Sequence, residues 1–160
     1  MILFTNGINK FAKDAAQSGA NGIIVPDVPI DEYKDFFQSS FDDLEIILLA
    51  TPTTSEERIK KIDEKSRGFL YYVSMTGTTG GQISHNDQIM NSLKKVSSIV
   101  KHNPLLIGFG ISTVEDIKKF SPYCSGVIVG SAVIKSLMNE NGTYDKTLEL
   151  VKNLKQALKD

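Results

Sequence analysis

The chain has no tryptophan, a single cysteine and five prolines in 160 residues. One thiol, Cys124, leaves no pair for an internal disulfide, which excludes a disulfide framework and fits a reducing compartment. Beside a strand, that thiol reads as a small packing residue rather than a reactive one. Neither sign of charge dominates. A formal net charge of -1 gives no electrostatic reason to expect nucleic acid or an anionic membrane surface. No apolar run approaches the ~20 residues of a membrane span. Met1-Ile2-Leu3-Phe4 lacks the basic flank and length of a signal peptide, so the cytoplasm is the expected location. His85 and His102 have no second histidine or cysteine at ligand spacing, so no metal is expected.

Glycine, by contrast, is used in a pattern. Leu105-Leu106-Ile107 leads into Gly108-Phe109-Gly110-Ile111-Ser112, and Val127-Ile128-Val129 leads into Gly130-Ser131-Ala132. Each reads as a buried strand ending in glycine where a helix begins, which aims backbone N–H groups and a helix dipole at one spot. Two such turns on consecutive strand–helix units are how many (β/α)₈ barrels hold a phosphate. The alternative is a pair of turn glycines that bind nothing.

Hydrophobic residues at 41% and charged residues at 23% are ordinary for a globular protein, and no linker or charge run divides the chain. Residues 1–160 are therefore expected to form one domain. Ile8, Phe11, Ala12, Ala15 and Ala16 follow helical spacing, and Gly19 is placed to end that helix. Apolar strands follow at Ile23-Ile24-Val25, Ile46 to Leu49 and Phe69 to Val73. Between them, Asp31 can cap a short helix carrying Tyr33, Phe36 and Phe37, and Ser55 opens a helix with Ile59 and Ile62 inward. Ile89, Leu93, Val96 and Val100 line one face of a further helix that His102 ends. Val114 and Ile117 mark the next. Tyr144, Leu148, Val151, Leu154 and Leu158 mark the last. Strands this apolar, alternating with helices, indicate a parallel sheet with helices packed outside. Five strands are too few to close a barrel of eight.

The loop from Ser74 to about Asn86 is longer than the other connections, and long loops at strand C-termini are commonly binding loops or lids. Ser74-Met75-Thr76-Gly77-Thr78-Thr79-Gly80-Gly81 supplies hydroxyls and glycines there; a connector without a duty is the plainer reading.

Taken in order, Ile24-Val25-Pro26-Asp27-Val28-Pro29, Ala50-Thr51-Pro52-Thr53-Thr54, Tyr71-Tyr72-Val73-Ser74 through Gly80, Gly108-Phe109-Gly110-Ile111-Ser112 and Gly130-Ser131-Ala132 with Lys135 resemble the tryptophan synthase α subunit family. The resemblance implies a (β/α)₈ barrel that cleaves indole-3-glycerol phosphate into indole and glyceraldehyde 3-phosphate. It implies as partner a pyridoxal-phosphate-dependent β subunit in an α2β2 heterotetramer, with no cofactor in this chain. Asn6-Gly7-Ile8 resembles the start of the family's third helix, so the first three strands are expected to be absent, and two flanks of the sheet to be left open to self-association.

The family's two catalytic carboxylates, a glutamate on the second strand and an aspartate on the loop after it, then precede Met1. No catalytic residue is assigned here, and the isolated chain is expected to be inactive. By resemblance Gly80, Gly110, Gly130 and Ser131 cradle phosphate, and Thr79 is the lid threonine. Tyr71 is the tyrosine beside the glutamate; alternatively it is a sheet tyrosine bonded to backbone. Phe109, Leu49 and Ile24 would wall the indole pocket, although apolar strand ends are core in any such fold. Asp27 is a structural or site carboxylate, not a catalytic one. Ile2 to Thr5 and the segment around Pro29 resemble surface presented to the β subunit. Other phosphate barrels, of the sugar-phosphate epimerase or histidine-pathway kind, share the glycine turns but are not expected to have the Tyr71 to Gly80 sequence. A half-barrel that binds a phosphate or partner without chemistry is the non-enzymatic alternative.

Overall fold

Strands and helices alternate along the computed structural model, which describes residues 7–37, 41–73, 87–108 and 110–158. Helix α1 (Ile8–Gln17) stops where glycine predicts. Gly19 sits at φ +88, its N–H bonds the carbonyl of Ala16, and the N–H of Ala20 bonds that of Ala15. These are the two bonds of a Schellman closure. Strand β1 (Gly22–Ile24), a 3-10 turn (Ile30–Glu32), α2 (Tyr33–Phe37) and β2 (Glu45–Ala50) follow. Next come α3 (Glu56–Lys65), β3 (Leu70–Val73), α4 (Asp87–Ile99), β4 (Leu105–Gly108) and α5 (Val114–Phe120). The chain continues through a 3-10 turn (Ser121–Tyr123), β5 (Gly126–Ile128), α6 (Ser131–Met138) and α7 (Asp145–Gln156).

The sheet is parallel throughout and its spatial order is the chain order, β1-β2-β3-β4-β5. Sequential parallel order with a helix in most crossovers is the wall of a (β/α)₈ barrel, here an incomplete one. β1 and β5 each have one strand neighbour in this sheet.

Because side chains alternate along a strand, the register separates two faces. Ile46, Leu48, Ala50, Leu70, Tyr72, Leu105 and Ile107 fall on one face and are all at most 5% exposed. Ile59 and Ile62 of α3, Leu93 and Val96 of α4, and Ile117 and Phe120 of α5 belong to the same core. The Tyr72 hydroxyl, carried into that core, meets Ser92 Oγ at 2.7 Å, so its burial leaves no orphaned polar atom. The other face carries Ile24, Leu49, Tyr71 and Leu106, none of them fully buried.

Two sequence expectations change, those for Asp31 and His102. Asp31 does not cap a helix: the turn begins at Pro29, whose φ of -62 starts it two residues earlier, and no side chain caps it. Its carboxylate instead meets Arg58 Nη1 at 2.7 Å on the surface. His102 lies beyond the end of α4 rather than on it. Of the five residues on the apolar stripe of α7, Leu154 is buried, whereas Tyr144, Leu148, Val151 and Leu158 are exposed. Periodicity identified that helix correctly; no described element covers its outer stripe.

One buried carboxylate ties the α3 layer to the start of β4. Asp63 is 2% exposed and accepts the N–H groups of Lys101 (2.6 Å), His102 (2.9 Å) and Asn103 (3.0 Å), with the Asn103 amide at 3.1 Å. Burial alone pushes this carboxyl up, and the four donors outweigh it, leaving the group below its ordinary value. A depressed folded value means that the stabilisation is complete above the unfolded carboxyl value, about 3.9, and is lost as pH falls through the folded one. Asp63→Asn replaces one accepting oxygen with an NH2 group that turns a donor toward donors, and is expected to cost about 2–4 kcal/mol. Urea unfolding of both proteins at pH 7 and in acid should show the gap narrowing as the wild-type carboxylate protonates; a constant gap would contradict this role.

Candidate functional site

A parallel sheet places every strand C-terminus on one rim, and this rim gathers the sequence candidates that fall within the described residues. Leu49 on β2 pairs in register with Tyr71 on β3, and Tyr71 with Leu106 on β4, so the three form a row on the less buried face. Ile24 ends β1 on the same face and is 43% exposed. Phe109, Thr79, Gly80 and the loop to Asn86, with His85, lie outside the described residues, as do Ile2 to Thr5.

Tyr71 and Gly108 are fitted to each other. A Cβ built on Gly108 would lie 2.6 Å from both Cε2 and the hydroxyl oxygen of Tyr71, closer than any real contact. The ring therefore occupies the space that a side chain at position 108 would need. Burial pushes the Tyr71 phenol above its ordinary value, so it stays protonated, and able to donate, at neutral pH. The sequence had marked Gly108 only as a strand end; its pairing with a ring on the adjacent strand has no local signal.

The end of β2 is held by its threonines. Thr54 Oγ1 accepts the N–H of Thr51 at 2.9 Å, and the hydroxyl of Thr51 lies 2.9 Å from that of Thr53 and 3.1 Å from that of Thr54. The hydroxyls fix the turn after Leu49 by bonding to one another. Beside it, Val25, Asp27, Pro29, Leu49, Thr54 and Arg58 line part of a cavity of about 200 Å³. Asp27 is exposed at its rim. A larger cavity of about 380 Å³ includes Lys13, Phe41, Asp43 and Leu44, at the opposite end of the sheet from this rim.

The two glycine turns are not equivalent. After β4, Gly110 sits at φ +78, the left-handed region that only glycine enters freely. The chain then enters α5 through a complete capping box. Asp116 Oδ2 accepts the N–H groups of Ser112 and Thr113, both at 3.0 Å, and Thr113 Oγ1 accepts that of Asp116 at 3.1 Å. This helix start supplies its own anion. After β5, Gly130 is the N-cap of α6, and no side chain caps that end. The first-turn N–H groups there have no carboxylate or hydroxyl of the cap to satisfy them.

Gly130 also has no structural need to be glycine. Its φ is -110, and an added Cβ would meet nothing within 4 Å. Ser131 is exposed beside it. Geometrically, the rim offers an uncapped helix start, a left-handed glycine one strand away, and an apolar row with a phenol at its centre. That set can hold an anion at one end of a ligand and an apolar group at the other. Among the described residues no group of three metal-ligating side chains occurs, and no helix is long and apolar enough to cross a membrane.

A family model described as the tryptophan synthase alpha chain matches residues 1–160. The alpha chain of Oceanobacillus iheyensis is 41% identical over 147 residues, covering 91% of this chain and 55% of the relative. That of Phocaeicola vulgatus is 37% identical over 153 residues, covering 92% and 59%. The chain thus spans a little over half the length of these curated relatives. Among solved structures, tryptophan synthase of M. tuberculosis superposes with a TM-score of 0.82 at 29% identity, over 98% of this chain and 58% of that one. The a2b2 complex of the hyperthermophile Pyrococcus furiosus gives a TM-score of 0.78 at 31% identity, over 99% and 63%.

The contact between Tyr71 and Gly108 is open to a direct test. Gly108→Ala is expected to displace the ring and to lower stability by about 1–3 kcal/mol. The same substitution made in Tyr71→Ala should cost less, giving a coupling of about 1 kcal/mol in a double-mutant cycle of chemical unfolding. Additive costs would show that the two residues do not constrain one another.

Proposed function

We propose that this chain, which belongs to the tryptophan synthase alpha chain family, forms the substrate-holding part of an enzyme that cleaves indole-3-glycerol phosphate into indole and glyceraldehyde 3-phosphate. The reading takes residues 1–160 as a single domain, the C-terminal five-strand portion of the barrel. The observation that carries it is the uncapped start of α6 at Gly130, a glycine that neither backbone conformation nor packing demands. Close approach of a ligand to the backbone is the remaining use for such a residue.

In this reading the substrate phosphate is held by the N–H groups of Gly110, Gly130 and Ser131 and by the dipole of α6 rather than by Arg or Lys. Backbone donors fixed by the sheet need no reorganisation when the anion arrives. Leu49 and Ile24, with Phe109, wall the indole ring. Tyr71, kept protonated by its burial, donates toward the reacting end of the pocket. Thr79 and Gly80 close over the substrate by family resemblance.

Cleavage requires a proton delivered to the indole ring carbon that carries the side chain and a proton removed from the adjacent hydroxyl. The carbon–carbon bond then breaks, its electron pair stays with indole, and the aldehyde leaves. No residue of this chain is assigned to either transfer. By family resemblance these transfers belong to a glutamate on the family's second strand and an aspartate on the loop after it. The products place the enzyme in tryptophan biosynthesis, and a β subunit carrying pyridoxal phosphate is its proposed partner, while this chain needs no cofactor. The likeness to the Pyrococcus furiosus a2b2 complex supports that partner.

Titration with inorganic phosphate is expected to move the amide resonances of Gly110, Gly130 and Ser131. Gly130→Ala, whose added methyl group stands in the way of an anion approaching the backbone, should weaken phosphate binding by about tenfold or more, while the thermal midpoint is unchanged. Unmoved resonances would remove the site. A second measurement concerns the chemistry: purified 160-residue polypeptide should release no indole above background from indole-3-glycerol phosphate. Turnover would mean that a proton donor within these residues has been overlooked.

A further inference from the structure

Asparagine followed by glycine occurs three times in the chain, at Asn6, Asn21 and Asn141. This pairing is the one most open to attack by the backbone on the asparagine amide, because glycine puts no side chain beside its own nitrogen. Asn6 lies outside the described residues. The fold treats the other two oppositely. The Asn21 carbonyl accepts the N–H of Glu45 at 2.9 Å, and Gly22 pairs in register with Glu45 at the start of β1. A Cβ on Gly22 would lie 2.8 Å from the Glu45 carbonyl oxygen, so this part of the chain is packed against its neighbour as well as bonded to it. It cannot turn toward the asparagine side chain without opening the edge of the sheet.

Asn141 has neither restraint. It is exposed in the connection between α6 and α7, and no hydrogen bond among the described residues involves Asn141 or Gly142. Gly142 is at φ +92, and an added Cβ would meet nothing within 4 Å. The flanks of the connection are fixed. Glu140 accepts the N–H groups of Lys146 (3.1 Å) and Thr147 (2.6 Å) in the first turn of α7, and the Thr147 hydroxyl meets Ser136 Oγ of α6 at 2.8 Å. Tyr144, just before α7, is held at φ 61, where a bulky residue is strained. Glu140 thus clasps the end of α6 to the start of α7, across a loop that the described hydrogen bonds hold only at its ends.

We propose that Asn141 is a site of spontaneous deamidation and that the change loosens the joint between α6 and α7. The Gly142 nitrogen bonds to the side-chain carbonyl carbon of Asn141, whose amino group takes the Gly142 proton and leaves as ammonia. Water then opens the cyclic imide at either carbonyl, its hydrogen returning to the Gly142 nitrogen. The product is aspartate or, with one more atom in the main chain, isoaspartate. The isoaspartate form lengthens the path from Glu140 to α7 and strains the clasp. Peptide mapping by mass spectrometry, after storage of the folded chain in warm, mildly alkaline buffer, tests the site. Asn141 is expected to convert about tenfold or more faster than Asn21, which reacts only from locally opened molecules. In guanidinium chloride the two should convert at similar rates, since only the fold separates them. The amide protons of Lys146 and Thr147 should exchange faster with solvent in the stored wild-type chain than in Asn141→Gln stored alongside it. Retention of Asn141, or equal rates at the two sites in the folded chain, overturns the site. A gap that persists in guanidinium chloride overturns its structural cause, and unchanged exchange at Lys146 and Thr147 overturns the loosening.

Discussion

In-register parallel pairing is the constraint on which everything else here depends. Once β1 to β5 run the same way, alternate residues have no choice of face, and all strand ends share one rim. Ile46, Leu70 and Ile107 are carried under the helices, while Leu49, Tyr71 and Leu106 are carried to the opposite side. A slip of one residue in any pair would exchange these sets and put the Tyr71 phenol where the Ser92 hydroxyl now satisfies Tyr72. The core and the candidate site are thus two readings of one register.

Three glycines near the rim do three different jobs, which composition cannot separate. Gly108 yields room to a ring on the neighbouring strand, and Gly110 supplies a backbone angle that other residues resist. Gly130 does neither, which makes it the informative one. The asymmetry between the two helix starts follows the same logic. The start of α5 is closed by Asp116, whereas α6 begins with no side chain of its own to answer the charge of its first turn.

Most of the architecture was legible because it rests on local pattern. Apolar runs marked all five strands, Gly19 marked the end of α1, and Ser55 marked the start of α3, where its hydroxyl accepts the N–H of Arg58. What escaped was set by distance or by competition. The Asp63 clamp joins residues far apart in the chain, and nothing around Asp63 distinguishes it from the other charged residues of its helix. Asp31 was misplaced because Pro29 begins the turn first. The stripe on α7 shows that periodicity reports an apolar face, not whether anything in the same chain covers it. At the rim, order and spacing of motifs located Gly110, Gly130 and Tyr71, but the fit between Tyr71 and Gly108 needed three dimensions.

The Asp63 clamp has a consequence for how this chain can change over evolutionary time. By fastening α3 to the residues just before β4, it fixes the entry to that strand independently of the segment between β3 and α4. The entropy of closing that segment grows only with the logarithm of its length, by about 0.6 kcal/mol for each doubling. Residues can therefore be gained, lost or exchanged there at small thermodynamic cost, because the strands on either side are registered by other bonds. The connection between β3 and α4 is in this way free to change in length.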